Sequence, residues 1–129
     1  RALERRRGPL TVEAVMTRDV VHIDIDDHPE RARSVLLATG LRFLPAVDGE
    51  GKVHGAIGLR ELTRTGASVG ELMSPMTTTS RHDSVFLLAP ILTDGRTHAV
   101  AVVDGGGRLE GLVTQTDLLA AFTSRGTLA

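Results

Sequence analysis

Cysteine is absent from the 129 residues, and so are tryptophan and tyrosine; Phe43, Phe86 and Phe122 are the only phenylalanines. Without cysteine, disulfides, thiolate catalysis and cysteine-ligated zinc are excluded. That absence sits easily with a reducing cytoplasm, the compartment expected here. Three phenylalanines are too few for a base-stacking surface that would hold a single strand. An excess of one charge is missing too: the formal net charge is −1, so no global field points to nucleic acid as a partner. No apolar run approaches the ~20 residues of a membrane helix, and no secretory leader is visible. Lysine is nearly absent, Lys52 being the only one.

What the chain does have is 41% hydrophobic content, enough for one compact core or for two small units sharing one. It opens on Arg1 and not Met, which fits a piece of something longer. The start, RALERRRG, places Arg1, Arg5, Arg6 and Arg7 ahead of any ordered pattern. That run reads either as a solvated leader or helix end, or as a basic segment lying just inside a membrane.

The rest is one unit written twice. TVEAVMT (11–17) answers SVGELMS (68–74) at an offset of 57 residues, and FLPAVDGEGKVHGAIG (43–58) answers AVAVVDGGGRLEGLVT (99–114) at an offset of 56. The matched positions are apolar-pattern positions, turn glycines and one acid, as a repeated packing unit requires. The organisation expected is a basic leader or linker over 1–10, a first repeat over 11–66, a second over 67–124 and a tail over 125–129.

Local signals within each half agree. VVHI (20–23) is a short β-rich run. The segment DDHPERARSVLLATG predicts a helix, with Pro29 allowed in its first turn and Gly40 suited to its stop; Ala32, Val35, Leu36 and Thr39 fall on one face. FLPAV and KVHGAIG are strand-like runs joined by the hairpin signal DGEG, and RELTRTG starts a second short helix. The order is β-α-β-β-α, preceded by a helical turn containing Met16. In the second half Pro90 removes a hydrogen bond from the equivalent helix, which is expected to kink or start late. The fold class expected is mixed α/β (α+β), and since some 55 residues bury too little surface alone, the two sheets are expected to pack on each other.

Catalytic signatures do not appear. His22, His28, His54, His82 and His98 show no metal-ligand spacing, and there is no P-loop, Rossmann fingerprint or nucleophile elbow. DGGGR (104–108) joins two strands and is a hairpin loop, not a phosphate cradle. Asp24, Asp26 and Asp27 precede a proline and a helix, and look like a turn and an N-cap. No constellation combines nucleophile, base and oxyanion donors, so a non-enzymatic role is expected, with no metal and no cofactor.

One segment asks for more. In GLVTQTDLLAAF (111–122) a strand runs into a helix whose start carries Thr114 and, three residues on, Asp117. This is a capping box, worth about 1 kcal/mol and needing no ligand. The same arrangement also presents oriented N–H groups and a positive dipole end at the top of a sheet, which suits phosphate. Its counterpart, GAIGLRELTRTG, has Gly58 in place of the hydroxyl and Glu61 in place of the aspartate. Capping alone is served by either version, so the asymmetry points beyond it.

Two β-α-β-β-α repeats, each introduced by V-x-x-[VL]-M-[TS] and closed by a G-h-h-T-x-x-D-L motif, resemble a CBS-domain pair (a Bateman module), over residues 11 to about 122. The resemblance implies two repeats packed through their sheets around a pseudo-twofold axis, with two clefts that in many members take adenosine-containing ligands. It places Asp117 at the ribose hydroxyls and Thr114 near the ribose or phosphate. Val20 and Val21 would face the adenine; Leu41, Arg42, Phe43 and Pro45 would form the wall. Arg42 reads either as a bidentate phosphate donor or as an ordinary exposed arginine. The second cleft would pair Gly58 and Glu61 with Thr77, Thr78, Thr97, His98 and Ala99, with His98 where some members contact phosphate. Because Gly58 and Glu61 depart from the pattern, this cleft is expected to bind more weakly. The arginine-rich start, GLRELTRTG and LTDGRTHAV are also similar to CBS tails that follow HPP-family membrane domains.

The function expected is a regulatory sensor that binds AMP, ADP or ATP, forms a homodimer and acts on an attached membrane or enzyme domain or on a partner. The alternatives are a ligand-free dimerisation module, or a sensor of S-adenosylmethionine or a cyclic dinucleotide.

Overall fold

The computed structural model describes residues 10–124; residues 1–9 of the basic leader and the 125–129 tail lie outside them. The first repeat runs α1 (Val12–Val15), β1 (Ile23–Asp24), α2 (Pro29–Thr39), β2 (Phe43–Val47), β3 (Val53–Gly58) and a 3-10 turn, Glu61–Thr63. The second runs α3 (Val69–Leu72), β4 (Thr78–Thr79), a 3-10 turn at Val85–Leu87, α4 (Ala89–Leu92), β5 (Ala99–Val103), β6 (Leu109–Thr114) and α5 (Gln115–Ser124). Each forms a three-stranded sheet, β1-β2-β3 or β4-β5-β6, with its first pair parallel and its second antiparallel. The bulges fall at matching places, Ala46/Val47 and Val102/Val103. Among the described residues no helix is long and apolar enough to cross a membrane.

The predicted long helix is there, with Pro29 at its first turn and Gly40 in the left-handed conformation (φ 73°) that ends it. Its cap differs from expectation: the His28 ring accepts from Glu30 N–H at 3.1 Å. The aspartates before it make a turn instead, Asp24 accepting from Asp26 N–H at 2.8 Å, while Asp27 pairs with Arg31. Ala32 and Leu36 are buried and Val35 packs on the core. Thr39 is exposed and turns its hydroxyl back to Val35 O.

Three further expectations are corrected. The strand read at 20–23 shrinks to Ile23–Asp24, because only these two residues find partners, Ala46 and Val47, while the chain before them crosses to the other repeat. RELTRTG yields only the 3-10 turn, in which Thr63 Oγ1 bonds Arg60 O; threonine and glycine propagate a helix poorly. Met16 caps α1 and is not inside it. Pro90 acts as expected: the equivalent of α2 breaks into the Val85–Leu87 turn and α4, with the proline at a helical first turn where its missing N–H costs nothing.

Each repeat's leading turn packs in the other repeat's core. Val12 and Met16 sit with Val85, Leu88, Val100, Val113 and Leu118. Val69, Leu72 and Met73 sit with Ile23, Leu36, Leu44 and Ile57. The crossing is pinned by reciprocal backbone bonds, Thr17 with Leu112 (2.8 and 2.9 Å) and Ser74 with Ala56 (2.9 and 2.8 Å). Pro45, Val47, Ala99 and Ala101, on the sheet faces turned away from these cores, are buried as well, as expected of two sheets laid together over small side chains.

The two hairpin loops also pair with each other: Val53 N–H donates to Gly107 O, Leu109 N–H to Gly51 O, and Arg108 Nε to Glu50 O. In the first loop the His54 ring, 2.8 Å away, and the Lys52 and Glu50 N–H groups hold Asp48 down from 3.8 to about 2. Asp104, bonded first by Arg108 N–H, is also lowered. A carboxylate depressed in the folded state stabilises above its unfolded pKa and loses that contribution as pH falls through its folded one. The urea midpoint is therefore expected to drop as pH falls from about 4 towards 2, and Asp48→Asn should flatten the drop; an equally steep decline in that variant would contradict the assignment.

Candidate functional site

Two of the hollows between the repeats include Arg42, Phe43 and His98 in their walls. Arg42 and His98 are equivalent positions of the two repeats, each just before a central strand. The clefts are therefore pseudo-symmetric hollows that meet along one wall.

The first cleft has a volume of about 520 Å³, within the range of small-molecule sites. Val20, Val21, Leu41, Phe43 and Pro45 make an apolar side; Thr17, Thr114, Gln115 and Thr116 make a polar one; Arg42 and His98 stand at the wall shared with the second cleft. Seven of the eight residues predicted for it line it. The eighth, Asp117, is not in the wall. Its carboxylate accepts from Thr114 N–H at 2.9 Å and Thr114 Oγ1 at 3.1 Å, while Asp117 N–H donates to Thr114 Oγ1 at 3.2 Å. The capping box is thus fully formed. The Thr17 hydroxyl of the first repeat also donates to Asp117, at 3.3 and 3.4 Å. Sequence reasoning missed Asp19, whose φ of 57° is unusual for a non-glycine residue, and which also lines the cleft.

The second cleft, of about 390 Å³, gathers Gly58, Glu61, Thr77, Thr97, His98 and Ala99 as predicted. Thr78, paired with Ala101 in β4, does not line it. Glu61 repeats the role of Asp117: Oε1 accepts from Gly58 N–H at 2.8 Å and Oε2 from Ser74 Oγ at 3.0 Å. In both halves the leading turn of one repeat thus bonds the acid of the other. The missing hydroxyl at Gly58 has a steric reason, since a Cβ there would lie 2.6 Å from Arg42 O, a distance that no side chain tolerates without backbone movement. The arginines Arg60 and Arg96, also in this wall, went unnoticed in the sequence. The repeat offset carried the signal for Arg60, which occupies the place of Thr116.

The family model described as CBS domain matches residues 12–68 and again 69–124. An uncharacterized 17.7 kDa protein of Acidianus ambivalens is 36% identical over 53 residues, 41% of this chain and 32% of that one, so the match spans about a third of that relative. Among solved structures, CBSX2 in complex with AMP superimposes with a TM-score of 0.83 at 20% identity, covering 91% of this chain and 98% of that one. The CBS domain pair of MJ0100 in complex with 5'-methylthioadenosine and S-adenosyl-L-methionine gives 0.77 at 21%, covering 92% and 99%. The CBS domain of a bacterial CNNM/CorC family Mg2+ transporter in complex with ATP gives 0.76 at 18%, covering 88% and 87%. At these identities the likeness is one of fold.

Proposed function

This chain belongs to the CBS domain family as a tandem pair, and from that premise we propose that it is a non-enzymatic regulatory module that binds an adenosine nucleotide, AMP, ADP or ATP, in the Thr114 cleft. The observation that carries the reading is the division of that cleft. A flat base suits the apolar side of Val20, Val21, Leu41 and Pro45, and the hydroxyl side of Thr17 and Thr114 suits a sugar. Arg42 offers a fork-shaped donor for phosphate. Thr114 reaches the ligand from the cleft wall, while Asp117, behind it, fixes the position of the Thr114 and Thr17 hydroxyls. The AMP and ATP complexes of structural neighbours support the same class of ligand.

Binding acts on an attached or partner protein by favouring one arrangement of the repeats over another, which needs only a difference in affinity between the two. A homodimer is part of this reading. Phe86, Leu87 and Leu119 are each more than half exposed, and Phe86 stacks on Phe122 at 5.5 Å, an apolar face that a second copy would cover.

Thermal unfolding with AMP, ADP, ATP, S-adenosylmethionine and a cyclic dinucleotide tests the reading. At 100 times its dissociation constant a true ligand adds about 2.7 kcal/mol, and an adenine nucleotide is expected to do so. No shift with any of the panel would leave the ligand-free dimerisation module. A shift with S-adenosylmethionine or the cyclic dinucleotide alone would reassign the ligand.

A further inference from the structure

The second cleft carries an electrostatic imbalance of which the nucleotide reading uses only Arg42. Among the described residues, every lysine and arginine makes an ion pair with a carboxylate except Arg42, Arg60, Arg64 and Arg96. Three of these four line this one hollow. The single carboxylate in the wall, Glu61, is already committed to Gly58 N–H and the Ser74 hydroxyl. Asp94, next to Arg96 in the chain, is occupied by the Arg96 and Thr97 N–H groups. Three arginines without a carboxylate partner line one concave wall, and a cleft lined by one sign of charge concentrates its field on an incoming ligand. An anion of several charges complements that field, and guanidinium forks match phosphate oxygens in pairs.

The imbalance is confined to one side of the pseudo-twofold axis. The first cleft has Thr116 where the second has Arg60, and at the place of Arg96 the first repeat has Gly40. The two hollows meet at Arg42 and His98.

We propose that the Glu61 cleft is a site for a polyphosphate chain, with Arg42, Arg60 and Arg96 as the side chains that select it. Where the chain is that of a nucleotide seated in the Thr114 cleft, the proposal rests on the nucleotide reading; a free polyphosphate tests it without that reading. The consequence for a nucleotide is a ranking, triphosphate above monophosphate, set by residues that do not touch the nucleoside.

The test is calorimetric titration with sodium tripolyphosphate, AMP and ATP, on the wild-type chain and on Arg60→Gln/Arg96→Gln. Both arginines are exposed, so the double variant is expected to fold, which circular dichroism checks. Tripolyphosphate is expected to bind the wild type and to lose about tenfold or more in the variant, the scale of one or two charge-assisted bonds. ATP is expected to bind at least about tenfold tighter than AMP, with the margin closing in the variant while AMP stays unchanged. Tripolyphosphate that fails to bind, or binds both proteins alike, overturns the proposal even where AMP binds. Tripolyphosphate bound and lost in the variant, with no nucleotide bound, upholds the polyphosphate site and removes the nucleotide reading. Competition between ATP and tripolyphosphate marks the nucleotide as the source of the chain; simultaneous binding marks a second ligand.

Discussion

Gly55→Ala is expected to destabilise the whole chain by roughly 2–3 kcal/mol, the upper part of the range for overpacking a closed site. A Cβ at this position would lie 2.5 Å from Ser74 O and 3.1 Å from both Cγ and Sδ of Met73. The methionine can move, but the carbonyl cannot, because it accepts Ala56 N–H at 2.8 Å in the bridge that holds the second repeat's leading turn on β3. Gly111 is its counterpart, with Met16 Sδ at 2.8 Å and Thr17 O at 2.9 Å. The glycine that opens each closing motif therefore serves the crossing of the chains and not the ligand. Since Val69 and Leu72 belong to the first repeat's core, loosening this bridge should lower a single unfolding transition common to both repeats. Gly49→Ala is the control: nothing lies within 4 Å of its added carbon, and it should change stability by less than about 0.5 kcal/mol. Urea unfolding followed by far-ultraviolet circular dichroism makes the comparison, and equal losses in the two variants would remove the role given to Gly55.

That crossing was the part of the fold that periodicity did not reveal. The duplication in register, Pro29 and Gly40 at the ends of α2, the two hairpins and the break at Pro90 were all readable, because each depends on residues close in sequence. The exchange of Val12 and Met16 for Val69 and Met73 depends on contacts between halves, and an apolar residue looks the same whichever core receives it. Most of the cleft residues were legible through the family motif. Asp117 was legible in a different way: the capping box alone describes where its carboxylate is found, and Thr17 adds a second bond that no local pattern announces. Arg60 and Arg96 resemble any solvated arginine until the cavity gathers them.

Val21→Glu is expected to lower nucleotide affinity by about 100-fold or more, with stability changed by less than about 0.5 kcal/mol. Val21 lines the Thr114 cleft yet is 43% exposed, so the substitution leaves both cores intact. It places a carboxylate where an apolar base should lie, and forces that charge to lose solvent when the ligand enters. A change at Asp117 would remove a helix cap and an inter-repeat bond together, so a loss of affinity there would not separate contact from scaffolding. Val21 does separate them.

Calorimetric titration of ATP and AMP into the wild-type chain and into Val21→Glu, both shown to be folded, tests the central claim most directly. Saturable binding to the wild type that weakens by about 100-fold or more in the variant is the expected result; the same affinity in both would mean that the nucleotide does not occupy the Thr114 cleft.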